Sequence, residues 1–237
     1  MEGKNVTRCP WVEKMRPEYY NHYHDVEWGT PVHDERLHFE FLVLEGMSCG
    51  LSWELMLKKR EILRQCFAHF EPARVARFSD GDVQRIMDTE GMIKSIQKIK
   101  AMVSNAQVFL DIQEEFGTFD RYIWGFTGGR SVIFKSHRDE GVWETRNALS
   151  DCIAKSLKRR GFKYMGSVIL YSHLQAIGII NDHHPLCFRY RQLLDENTVV
   201  VDDLPSQEGA PPPLPHQAGG LKSVSLHELM EKAARHS

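Results

Sequence analysis

Between Ile96 and Gly117 the apolar side chains recur three and four residues apart, at Ile96, Ile99, Val103, Ala106 and Leu110. That spacing puts one apolar stripe along a helix of 3.6 residues per turn, and such a stripe must be covered by other elements. Gly117 is the expected stop. Other segments repeat the theme. Asp34 can cap a helix carrying Leu37, Phe41 and Leu44 on one face. Ser52 can cap a second through Trp53, Met56, Leu57, Leu63 and Phe67, helped by Glu54 four residues before Lys58. Only residues 131–135, after Gly128 and Gly129, have a β-like pattern, suited to a small hairpin arm or a loop. The sequence therefore predicts an all-α fold. No fixed-period repeat occurs, nor GxGxxG, GxxxxGK(S/T) or HExxH, which removes the main evidence for dinucleotide, P-loop or zincin chemistry.

The chain divides by composition near residue 190. From Arg191 onward there are four cationic and seven anionic side chains, so the tail carries −3 and masks a body of +1. Within it, residues 204–220 hold five of the ten prolines, with Ser, Gln and Gly, a composition that buries too little apolar area to offset its ordering entropy. We read a linker there, followed by a short helix opened by a Ser225/Glu228 capping box and carrying Leu226, Leu229, Met230 and Ala233. The expected organisation is a 1–190 domain and a 191–237 tail. Nothing approaches the ~20 apolar residues of a membrane helix, and the first residues lack the apolar run of a signal peptide, so a cytoplasmic location is expected. Five cysteines, at 9, 49, 66, 152 and 187, are odd in number and scattered, which suits free thiols or ligands better than disulfides.

Leu149, Ile153 and Leu157 share one helical face that ends in Lys158-Arg-Arg160 and Gly161, and Gly166 opens another helix from about 167 to 178. Helix, glycine-edged loop, helix is a unit whose backbone can approach another chain closely, and a helix N-terminus suits a phosphate. Lys155, Lys158, Arg159, Arg160 and Lys163 make its surroundings basic. The same pattern also describes a plain αα-hairpin whose basic residues complement the helix dipole.

Two further groups could carry chemistry. Cys9, His24, His183 and Cys187 form a complete tetrahedral zinc set, and a closed set of that kind is structural. Twelve histidines and five cysteines also produce such pairs by chance, and Pro185 keeps His183 and Cys187 off one regular helix. Glu45 follows Leu42, Val43 and Leu44 and precedes a break at Gly46 to Gly50, so it is either a solvated helix end or a costly buried carboxylate facing a pocket. With Trp53, Tyr20, Tyr23 and Trp28 nearby, such a pocket would suit a flat, cationic ring.

Taken together the chain resembles the family I 3-methyladenine DNA glycosylases, the TAG-type enzymes of the helix-hairpin-helix superfamily. The resemblance rests on Arg8-Cys-Pro-Trp11, Tyr23-His-Asp-Val-Glu-Trp-Gly29, Leu44-Glu-Gly with Gly50-Leu-Ser-Trp53, Leu57-Lys-Lys-Arg60, Leu157 through Gly166, and Asn181-Asp-His183 with Cys187. It covers roughly residues 7 to 190. It implies a helix-hairpin-helix DNA glycosylase fold, with the hairpin at about 149–178, and a monofunctional enzyme that hydrolyses the N-glycosidic bond of 3-methyladenine in alkylated double-stranded DNA. It further implies a structural zinc on Cys9, His24, His183 and Cys187, stapling the N-terminal segment to the end of the last core helix. Glu45 maps onto the base-pocket carboxylate, Tyr23 and Trp53 onto the aromatic pocket, with Tyr20 and Ser48 beside them. Gly161, Lys163, Gly166 and Lys158 would meet the DNA backbone, and a monomer is expected. One departure stands out: the family commonly has Gln ahead of the Ala-Gly-Leu-Ser-Trp run, where this chain has Met47-Ser48-Cys49. A shortened polar group there leaves open a different alkylated purine, or a non-catalytic lesion binder.

Overall fold

The computed structural model describes residues 6–13, 17–203 and 221–236. Its elements run α1 (Pro10–Glu13), α2 (Glu18–His22), α3 (Glu35–Ser48), α4 (Trp53–Cys66), α5 (Pro72–Val75), α6 (Asp80–Asp88), α7 (Ile96–Phe116), α8 (Phe119–Gly125), β1 (Val132–Phe134), α9 (Lys135–Glu140), α10 (Ala148–Arg160), α11 (Ser167–Ala176), α12 (Phe188–Gln192), β2 (Val199–Asp202), β3 (Lys222–Ser225) and α13 (Leu226–His236). The expected caps are in place. Asp34 accepts from the Leu37 amide at 2.8 Å and Ser52 from that of Leu55 at 3.2 Å. Gly117 and Gly161 end α7 and α10 at φ 86° and 103°, a left-handed region that a Cβ would strain.

Helix α7 packs against α3, α5, α6 and α8. Its buried face is centred on Ile99, Met102, Ala106 and Phe109, while Ile96 is 45% exposed and Val103 and Leu110 are only half-buried, so the stripe is rotated from the one the spacing suggested. Phe109 stacks on Phe119 at 4.5 Å and meets Phe39 edge-on at 5.4 Å. Burying such a ring contributes roughly 2–3 kcal/mol. Helix α3 is enclosed along nearly its whole length, from His38 to Ser48. At Gly46 a Cβ would come within 2.6 Å of the Met102 methyl, so glycine is what lets α3 and α7 approach here.

The all-α expectation needs one correction. The protein is mostly helical but contains a three-stranded parallel sheet in the order β1-β2-β3, with Val132 opposite Val199 and Val199 opposite Lys222. The β-like stretch at 131–135 is thus neither a hairpin arm nor a loop. It pairs with a distant partner, the buried β-branched run Val199-Val200-Val201, which the composition of the surrounding tail concealed. The proline-rich stretch 204–220 lies outside the described residues. Helix α13 carries the expected Ser225/Glu228 capping box and packs Leu229 and Ala233 against the body near α8 and α10.

One turn brings the N-terminal segment onto the hairpin. Gly178, at φ 78°, has Pro31 N and Gly29 O less than 3 Å from where a Cβ would stand, and backbone bonds join Gly29 N to Gln175 O and Val32 N to Ile177 O. Close by in the chain, on α11, His173 is fully buried with neither ring nitrogen partnered. Burial, with a lesser push from His38, lowers its pKa to about 3. The unfolded chain takes up this proton near pH 6.5 and the folded chain refuses it until about 3, so stability falls as pH falls between those values. His173→Leu should therefore gain about 3 kcal/mol over the parent at pH 4.5 and show no pH-linked gain at pH 7.5, read by chemical denaturation at both pH values. Equal differences at the two pH values would contradict the assignment.

Candidate active site and metal cluster

A pocket of about 440 Å³ opens where α2, the start of α4, the end of α3, α11 and the loop before α10 meet, and Glu45, Tyr23, Trp53, Tyr20 and Ser48 all line it. Helix α2 runs into a π-helical turn, Tyr23–Glu27, in which Trp28 N reaches back to Tyr23 O at 2.8 Å. The wider turn carries Tyr23 and Trp28, which line the pocket, together with His24, which faces away from it toward the cysteines. Trp53 opens α4 directly after its cap Ser52.

Glu45 is 3% exposed, and its carboxyl has no hydrogen-bond or ion-pair partner among the described residues. Burial alone pushes its pKa up to about 8. With that shift the Glu45 carboxyl is mainly protonated at neutral pH. Burial, and then the Glu45 carboxylate, hold Tyr23 well above its ordinary value, so it stays a neutral phenol. Among the described residues no cation shifts the Glu45 carboxyl. Arg60 reaches from α4 to Glu40 on α3 (2.5 Å) and to Glu27 in the π turn (2.6 Å), and Arg64 also reaches Glu40 (3.0 Å). These bridges tie together the three elements α3, α4 and the π turn that build the pocket.

The departure at Met47-Ser48 can now be placed. Met47 is fully buried in the core, and the Ser48 hydroxyl donates to the Glu45 backbone carbonyl at 2.8 Å. Neither replaces a long amide. The amide that does line the pocket is Gln175 of α11, whose Nε2 donates to Asp182 at 2.7 Å. Sequence reasoning missed Gln175, Ser172, Ile169 and Trp143, because nothing local marks residues that tertiary folding brings to a pocket. Tyr23 and Trp53 lie side by side in the lining. Their rings touch each other at 5.5 Å and 50°, so they form one wall and leave no slot between them for a third ring.

Cys9, His24, His183 and Cys187 converge, all four buried, with their donor atoms within 4.8 Å of one another. Cys9 Sγ lies 3.4 Å from His183 Nδ1, and Cys187 Sγ 3.6 Å from both His24 Nε2 and His183 Nδ1. A tetrahedron with metal bonds of about 2.0–2.3 Å has edges of about 3.5 Å, so the set could hold a metal ion. The outer ring nitrogens are anchored, that of His183 on the Trp28 carbonyl at 3.0 Å and that of His24 on Asp25 at 2.8 Å, which Arg8 in turn grips. That is the arrangement that aims an imidazole lone pair inward. The hydrogen bond between the two thiols pulls Cys187 down and pushes Cys9 up. The cluster joins the N-terminal segment to the chain just beyond α11.

At the hairpin, Lys158, Gly161, Lys163 and Gly166 are all exposed. The buried Asn105 of α7 bonds both the amide and the carbonyl of Lys163, fixing the loop, so that amide is not available to a ligand. The N-terminus of α11, at Gly166, has no side-chain cap. Arg160 is withdrawn from the basic cluster, bound to Glu115 at 2.6 Å and lying over Phe116.

The model of the methyladenine glycosylase family matches residues 11–190 of this chain. DNA-3-methyladenine glycosylase 1 of Escherichia coli (strain K12) is 38% identical over 185 residues, spanning 78% of this chain and 97% of that protein. A crystal structure of 3-methyladenine DNA glycosylase I (TAG) is 41% identical with a TM-score of 0.71, over 77% of this chain and 98% of that one. The TAG of Staphylococcus aureus, solved to show its recognition of 3-methyladenine, is 31% identical with a TM-score of 0.72, over 78% and 97%.

The unpaired acid has a thermodynamic signature. The unfolded chain releases the Glu45 proton near pH 4.5 and the folded chain keeps it to about 8, so stability falls as pH rises between the two. Glu45→Gln should be more stable than the parent by about 3 kcal/mol at pH 7, with the gain gone below pH 4.5, read by urea melts across that range. A gain that does not change with pH would show that the carboxyl is solvated.

Proposed function

The chain belongs to the methyladenine glycosylase family, and from that premise we propose that it excises 3-methyladenine from alkylated double-stranded DNA by hydrolysing the N-glycosidic bond, leaving the strand uncut. The single observation that supports this most is a buried, unpartnered carboxyl set in an aromatic pocket. Such a site is costly when empty and is relieved by a flat cation.

Methylation at N3 gives the base a positive charge while it is still attached to the sugar. A cationic base entering the pocket restores the ionised form of Glu45 by charge pairing in a dry environment. Ring contact with Tyr23 and Trp53 adds face-on attraction, and the Gln175 oxygen can accept from the exocyclic amine. Binding energy spent on these contacts holds the nucleotide out of the duplex. On cleavage the bonding electron pair moves to the base, which leaves neutral, and the sugar carbon becomes oxocarbenium-like. Water adds to that carbon and loses one proton. A strong general acid has little to do, because the leaving group is already activated. Among the described residues no lysine lines the pocket, which fits hydrolysis rather than Schiff-base strand cleavage.

For the cluster we propose structural zinc. Four protein donors would complete a tetrahedral set, so the metal would supply a cross-link rather than an activated water. The exposed hairpin residues Lys158, Gly161, Lys163 and Gly166 would meet backbone phosphates, with the uncapped start of α11 as the electropositive end.

Incubation with methylating-agent-treated duplex, followed by chromatography of the released bases, should give 3-methyladenine. Glu45→Gln and Trp53→Ala should each lower its release roughly a hundredfold or more. Release of another purine instead would reassign the substrate, and unchanged release by both variants would refute the pocket. Metal analysis should find one zinc per chain, and its removal by a chelator should lower Tm by about 10 °C or more. A chelated protein with an unaltered Tm would contradict the staple.

A further inference from the structure

The pocket has one aromatic wall in Tyr23 and Trp53 and lacks an obvious second. Two rings that hold a third between them stand about 7 Å apart, twice the ~3.5 Å of van der Waals contact, whereas these two stand 5.5 Å apart. Three other rings on the same side are already engaged. Trp11 meets Tyr20 at 5.6 Å and Trp28 at 5.0 Å, both edge-on, and Trp28 packs on His183 at 4.4 Å. The remaining ring that lines the pocket is Trp143, in the loop between α9 and α10.

Trp143 is 53% exposed, more than any other described aromatic residue. Exposure alone would not single it out, because isolated apolar side chains are common on surfaces. What does is that this half-open indole also lines the pocket and is held there. It packs at 4.2 Å and 62° on His137, which is buried and anchored to Asp182 at 2.6 Å. Asp182 also fixes Gln175 at 2.7 Å and Tyr171 at 2.6 Å. One buried carboxylate thus orients both the amide and, through His137, the indole on this side of the pocket.

We propose that Trp143 is the second wall, an indole that closes over the extruded base from the pocket lip and stacks on the side that Tyr23 and Trp53 do not cover. This rests on the glycosylase reading given above. Being half-exposed, the ring can meet a guest without opening the core, and a cationic purine is the guest its electron-rich face favours. The pocket would then be completed only when a base is in it.

Single-turnover excision on methylated duplex should fall roughly ten- to a hundredfold in Trp143→Ala, the range expected for one lost stacking partner, and be largely kept in Trp143→Phe. Two readings separate stacking from a merely structural role. Tm and affinity for a duplex with a base-free abasic analogue should not change in Trp143→Ala, and free 3-methyladenine should quench less tryptophan fluorescence in Trp143→Phe than in the parent. Equal losses on base-bearing and base-free duplex, or full activity in Trp143→Ala, would overturn the inference while leaving the glycosylase reading intact. If the parent protein releases no base, it is the glycosylase reading that fails.

Discussion

An acid buried in the wall of an aromatic pocket is the constraint around which this protein is organised. Glu45 is buried on a helix enclosed along almost its whole length, and burial is what raises its pKa. Arg60 and Arg64 pair with Glu40 and Glu27, and these bridges tie together the elements that build the pocket. A group that destabilises the folded state above its ordinary pKa is retained only where something compensates for it. In the proposed function the compensation is a ligand of opposite charge.

The pocket and the metal cluster share a wall. Trp28 lines the pocket, its carbonyl anchors His183, and its ring lies against both cluster histidines. Trp11, another lining residue, packs edge-on against His24. A metal bound at the cluster would therefore set the position of the aromatic side of the pocket while standing outside the chemistry. Asn105 does the equivalent for the hairpin, tying its loop to α7, the helix against which α3 and Glu45 also pack.

Much of this was legible in the sequence because it is local. Caps at Asp34 and Ser52 and stops at Gly117 and Gly161 depend on a few neighbouring residues, and they are found where expected. Glu45 stood out as a carboxylate inside an apolar run, and Cys9, His24, His183 and Cys187 as a donor set. What was not legible depends on distant pairing. The parallel sheet joins residues 132 and 199, and its second and third strands flank the proline-rich stretch 204–220 in the tail. The 5.5 Å spacing of Tyr23 and Trp53 depends on how a π turn meets the start of α4, for which no residue pattern is diagnostic. Gln175 and Trp143 reach the pocket through Asp182 and His137, a relay that exists only once α9, α11 and the turn after it have packed.

The most direct test is the ionisation of Glu45 itself, followed by its side-chain carboxyl carbon in NMR from pH 4 to 10, with and without a permanently cationic N-methylated purine such as the 3,9-dimethyladenine cation. The free protein should titrate with a midpoint near 8 and the complex should already be ionised at pH 7. A midpoint near 4.5 that ignores the cation would contradict the account.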